Sequence, residues 1–109
     1  EIVDMARAAG ANKVFFASAA PPVRYPNVYG IDMPTRGELI AHERTDEEVA
    51  RIIGADALVY QDIEAMKRAV HDMNPALNDF EASCFDGRYI TGDVTPELLQ
   101  RLEAARSAA

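Results

Sequence analysis

Lys13-Val14-Phe15-Phe16-Ala17-Ser18-Ala19-Ala20-Pro21-Pro22 is the stretch on which the fold class turns. Val14 to Ala19 is a short run rich in β-formers, and a run with no polar face predicts an interior strand of a parallel sheet. Ala20-Pro21-Pro22 then ends regular structure, because proline has no N–H to donate and restricts the residue before it. Upstream, Ile2, Met5, Ala6 and Ala9 form a 3.6-period apolar stripe that stops at Gly10, a natural helix C-cap. Helix, glycine, strand in that order reads as the second half of a βαβ unit. No capping Ser, Thr, Asn or Asp precedes the stripe, so the helix is expected to begin inside itself, with a first strand upstream of Glu1.

Downstream, Val28-Tyr29-Gly30-Ile31 predicts a short strand, with Gly30 marking a bulge or a close backbone approach. Thr35 and Glu38 form a capping box for a short helix over Gly37–Ala41, and Thr45 and Glu48 form a second. Val49, Ile52 and Ile53 give that second helix its apolar face, and Gly54 ends it. Ala57 to Tyr60 reads as a strand, followed by a helix from Asp62 to Asp72 with Ile63, Met66 and Val70 on one face. Ser83–Ile90 is the clearest local signal in the sequence: Asp86-Gly87 between strand-like flanks predicts a two-residue hairpin. Thr95 and Pro96 cap and open a terminal helix carrying Leu98, Leu99 and Leu102. The expected class is α/β: parallel strands, flanking helices, a small hairpin and a terminal helix.

Composition narrows the function. With 18 Asp and Glu against 11 Lys and Arg, the net charge of −7 disfavours a nucleic-acid binder, which must neutralise phosphates. One Cys excludes an internal disulfide and fits a reducing compartment; with only 2 His it cannot complete a Cys/His zinc site. No run reaches the roughly 18 apolar residues of a membrane span.

Ser18, Ala19 and Ala20, small residues at a parallel strand's end, leave room for a ligand or for close packing. Arg24, in the loop after the double proline, suits a phosphate, a carboxylate or a neighbouring domain's backbone, and Arg36 is similar. Asp32 is either a turn residue or an acid near the strand ends. His42 and His71 have no neighbour at metal-ligand spacing, and Cys84 reads as a small buried hydrophobe rather than a nucleophile.

The segment Ala17-Ser18-Ala19-Ala20-Pro21-Pro22-Val23-Arg24-Tyr25-Pro26-Asn27-Val28-Tyr29-Gly30-Ile31-Asp32-Met33-Pro34 resembles the glutamine phosphoribosylpyrophosphate amidotransferase (amidophosphoribosyltransferase) family. The likeness continues through Glu38–His42, Ile53–Asp56, Tyr60–Asp62, Phe85–Gly87 and Tyr89–Asp93. It implies the C-terminal part of a type I phosphoribosyltransferase-like domain, with the strand and ribose-phosphate loop lying upstream. It also implies a cytoplasmic enzyme of purine synthesis, acting on phosphoribosyl pyrophosphate and glutamine, with magnesium held by upstream residues. An N-terminal glutaminase domain, a homo-oligomer and feedback inhibition by purine nucleotides come with it. The isolated segment is expected to be inactive.

By the same resemblance, Ser18, Ala19, Ala20 and Arg24 lie near the nucleotide pocket, and Asp32 and Arg106 near the glutaminase interface. Some members bind an iron–sulfur cluster through a Cys-x-x-Cys pair; here Cys84 matches the second position but Glu81 occupies the first, which implies the cluster-free type. The rival expectation is a non-catalytic nucleotide-binding or regulatory α/β module.

Overall fold

A computed structural model describes residues 1–30 and 33–107. Helix α1 spans Ile2–Ala8, with no side-chain cap at Glu1, and Gly10 adopts φ 98° just beyond its end. Strand β1, Phe15–Ala17, pairs in parallel with β2, Ala57–Val59, placing Phe15 opposite Ala57 and Ala17 opposite Val59. Between them lie a long loop, a single 3₁₀ turn at Arg36–Glu38, and α2 at Asp46–Ile53. Helix α3 covers Ile63–Met73, α4 is one turn at Ser83–Asp86, and α5 runs Pro96–Ser107.

The caps work as their residue types require. Thr45 Oγ1 accepts from the Glu48 N–H at 3.2 Å while Glu48 accepts from the Thr45 N–H at 2.8 Å. Asp62 Oδ1 accepts from Ala65 N–H at 2.7 Å and starts α3. Gly54 closes α2 at φ 76°, the left-handed position that favours glycine.

One acid joins α1 to the sheet. Asp56 Oδ2 accepts from the Val14 N–H at 2.7 Å and from Arg7 Nη2 at 2.9 Å, and Arg7 also donates to the Gly54 carbonyl at 2.8 Å. The Val14 N–H, and after it the Arg7 guanidinium, hold the Asp56 carboxyl below its ordinary range. The buried apolar set is small: Val3, Leu39, Ala41, Val49, Ala50 and Ala82.

Three expectations need correction. Strand β1 was expected to be interior, yet Phe15 is 68% and Phe16 39% exposed. Among the described residues the sheet has only two strands, and all three side chains of β1, Phe15 to Ala17, are open to solvent. The small hairpin at Asp86-Gly87 is instead the end of α4, with Gly87 N–H donating to Ser83 O at 2.8 Å. A primed turn and a helix C-cap both need glycine at positive φ, and Gly87 sits at 72°. Residues 28–30 form no strand; Ile31 lies outside the described residues.

Candidate functional site

Both strands run toward the same end of the sheet, where ligands of parallel α/β folds bind. Ser18 extends the ladder through its N–H to the Val59 carbonyl at 2.8 Å. Its hydroxyl donates to the Ala20 carbonyl at 2.9 Å and accepts from the Ala20 N–H at 3.2 Å, bending the chain sharply after β1. The Gln61 N–H meets the same Ala20 carbonyl at 3.4 Å, so the segments leaving β1 and β2 stay together. Ala19 remains exposed and Pro21 is buried.

A depression of about 350 Å³ opens beside these strand ends, lined by Pro21, Pro22, Arg24, Asp46, Tyr60 and Asp62 among others. Burial, and after it the charge of Asp46, raises the Tyr60 phenol above its ordinary pKa. Arg24, expected beside a ligand, lines the depression but turns its guanidinium onto the Ala41 and Arg44 carbonyls.

A second cavity, about 510 Å³, lies between the 25–36 loop, the Gly87–Tyr89 segment and α5. Tyr25 packs over Gly87, its ring 3.3 Å from where a Cβ would stand. The rings of Tyr29 and Tyr89 meet edge to face at 5.2 Å. Arg106 Nη1 donates to the Met33 carbonyl at 2.5 Å, which brings α5 to the loop that contains Asp32. Asp32 itself lies outside the described residues. Arg36 borders this cavity and not the strand ends, its N–H donating to Glu103 Oε1 at 3.3 Å.

The cluster-ligand positions hold a different arrangement. Glu81 Oε1 accepts from the Ser83 N–H at 2.9 Å, from Asn27 Nδ2 at 3.2 Å and from the Ser83 hydroxyl. Asn27 Nδ2 also reaches Ser83 Oγ at 2.8 Å, and Asn27 Oδ1 accepts from the Tyr29 N–H at 2.8 Å. Asn27 is 4% and Ser83 0% exposed while Glu81 reaches the surface, so the network has a buried and satisfied Asn27–Ser83 centre. Sequence reading missed it, since a loop Asn beside proline looks like an ordinary turn residue. Cys84 is half-buried, and burial pushes its thiol pKa up, away from nucleophilic character.

His42 and His71 each bond a carbonyl through Nδ1, those of Arg24 at 2.9 Å and Leu77 at 2.7 Å. Among the described residues no three His, Cys, Asp or Glu gather as metal ligands. No described helix is long and apolar enough to cross a membrane.

No family model matches the chain. Curated relatives do. The amidophosphoribosyltransferase of Pasteurella multocida is 55% identical over 107 residues, covering 98% of this chain and 21% of that protein. The Pseudomonas aeruginosa protein of that name is 54% identical over 109 residues, covering 100% of this chain and 22% of its own length. The Saccharomyces cerevisiae protein is 44% identical over 108 residues, covering 99% and 21%. The chain therefore spans about a fifth of the length of the curated relatives it matches, and it is homologous to a fragment of amidophosphoribosyltransferase.

Proposed function

We propose that this chain is part of the phosphoribosyltransferase domain of an amidophosphoribosyltransferase. Such an enzyme transfers ammonia released from glutamine to phosphoribosyl pyrophosphate. Nitrogen bonds to the anomeric carbon as the bond to pyrophosphate breaks, and phosphoribosylamine forms for purine synthesis. The observation that carries this reading is identity of 54–55% along essentially the whole chain to proteins of that name.

The parallel β1–β2 pair, with the small residues Ser18, Ala19 and Ala20 at its ligand-binding end, supports a role beside the nucleotide pocket. The bond from Arg106 to Met33 supports a role for α5 and the Asp32 loop at the glutaminase interface. Magnesium belongs to segments outside these residues. A cytoplasmic homo-oligomer inhibited by purine nucleotides completes the proposal.

The test is a segment exchange. Replacing the matching segment of the Pseudomonas aeruginosa enzyme with this chain should keep both glutamine- and ammonia-dependent phosphoribosylamine formation within about tenfold of the host. A folded hybrid without ammonia-dependent formation would overturn the reading. The chain alone is expected to form no phosphoribosylamine, and measurable turnover would refute that part.

A further inference from the structure

The guanidinium of Arg24 faces back into the fold. Nη1 donates to the Ala41 carbonyl at 2.7 Å and to the Arg44 carbonyl at 2.8 Å, and Nη2 stands 3.5 Å from Asp46 Oδ1. The backbone of the same residue is held as well. Its N–H donates to the Cys84 carbonyl at 2.9 Å, and its carbonyl is bonded to His42 Nδ1 at 2.9 Å. One residue therefore joins the segment leaving β1 to the turn before α2, to the first residue of α2 and to α4. The turn it grips contains Glu43 at φ 54°, a left-handed conformation that non-glycine residues rarely adopt.

Arginine recognises phosphate through the paired N–H groups of its planar fork. In Arg24 both Nη1 hydrogens are committed to carbonyls and the charge has a carboxylate partner. A phosphate taken through Nη1 would have to displace the Ala41 and Arg44 carbonyls from it. We infer that Arg24 is a positioning residue for the strand-end site: it ties the chain leaving β1 to the 41–44 turn, α2 and α4 instead of serving as a phosphate ligand. The inference rests on the proposed function for its link to phosphoribosyl pyrophosphate, while the strut itself rests on geometry alone.

The hybrid enzyme serves as host for Arg24→Lys, Arg24→Gln and His42→Gln. Lysine keeps the charge but cannot reproduce a planar fork bridging two carbonyls and a carboxylate. Positioning therefore expects both Arg24 variants to raise KM for phosphoribosyl pyrophosphate by about tenfold, with the salt dependence of KM unchanged. His42→Gln, which loosens the Arg24 carbonyl with the guanidinium intact, should raise KM in the same direction.

Direct phosphate contact expects the opposite: Lys close to wild type, Gln impaired with a weaker salt dependence, and His42→Gln without effect. That pattern would overturn the inference. Should Arg24→Gln fail to fold, Arg24→Lys and His42→Gln still decide. Hydrogen exchange of the Ala20, Arg24 and Tyr25 amides gives a readout independent of activity. Faster exchange in Arg24→Lys supports the strut, and unchanged exchange refutes it even if the hybrid proves inactive and the proposed function fails.

Discussion

The block from α1 to β2 and the loops that surround it are held by different forces. In the block, backbone ladders, caps and a few buried apolar side chains such as Val3 and Val49 set the geometry. The 18–44 and 81–93 segments add Leu39, Ala41 and Ala82 to the buried set and depend further on long-range side-chain hydrogen bonds: Arg24 on two carbonyls, Asn27 and Glu81 around Ser83, Tyr89 on the Pro26 carbonyl at 2.9 Å. The candidate sites lie in these loops. The buried groups of this polar scaffold must all be satisfied, since an unpaired buried group costs more than a made bond returns.

That difference can be broken first at Asn27. Asn27→Ala removes donors and an acceptor from a buried network and leaves the Ser83 and Tyr29 groups short of partners. It should cost about 3 kcal/mol, at least as much as the roughly 2 kcal/mol expected for Val49→Ala in the apolar block. Urea denaturation of both variants gives the comparison. A loss at Asn27 well below that at Val49 would mean that the loops lean on the block rather than on their own hydrogen bonds.

Gly87 offers a smaller effect in the same loops. At φ 72° an added Cβ is strained, and it would lie 3.3 Å from the Tyr25 ring. Gly87→Ala should cost about 1.5 kcal/mol, read from the thermal midpoint, with a change in tyrosine near-UV signal as Tyr25 shifts. A neutral outcome would show that Tyr25 yields freely and that the cavity wall it forms is soft.

The block was legible in the sequence apart from the exposure of β1, and of the loops little more than the Thr35–Glu38 capping box was. Thr45-Asp46-Glu47-Glu48, Gly54 and Asp62 each encode a cap whose partner lies within four residues, so local reading placed α2 and α3 to within a residue or so. The parallel pairing of β1 and β2 followed from the order of elements. Arg24, by contrast, reaches acceptors 17 and 20 positions away, and Asn27 reaches Ser83 across 56. Nothing local announces such bonds. Asp86-Gly87 failed for another reason, because two structures share one conformational demand at glycine and only tertiary packing chooses between them. Of the candidate site, the placement of Ser18–Ala20 at the end of β1 was readable from the apolar run and the prolines after it. The turning inward of Arg24 was not.

Acid should sharpen the contrast from the side of the block. The Asp56 carboxyl is held below its ordinary value of 3.8 by the Val14 N–H and Arg7. A depressed folded pKa contributes stability above the unfolded value, and that contribution fades as pH falls through the folded one. Wild type should therefore exceed Asp56→Asn in stability near neutral pH, and the gap should close below about pH 4. A gap that persists at lower pH would assign the effect to lost geometry instead of lost charge.

The smallest expected effect on stability falls at the most exposed aromatic of the sheet. Phe15 is 68% exposed, so a polar residue there removes little buried area, and Phe15→Ser should change stability by less than about 0.5 kcal/mol. The neighbouring ladder bonds belong to the backbone and survive the substitution. Self-association is where the change should appear. Among the described residues one edge of β1 is unpaired, a template for pairing with another chain, and lowering the apolar character of the exposed Phe15 beside it should reduce concentration-dependent association in sedimentation velocity. A Phe15→Ser variant that loses substantial stability would mean that β1 is buried in solution as the sequence alone suggests, and would erase the distinction between an apolar block and its open edge.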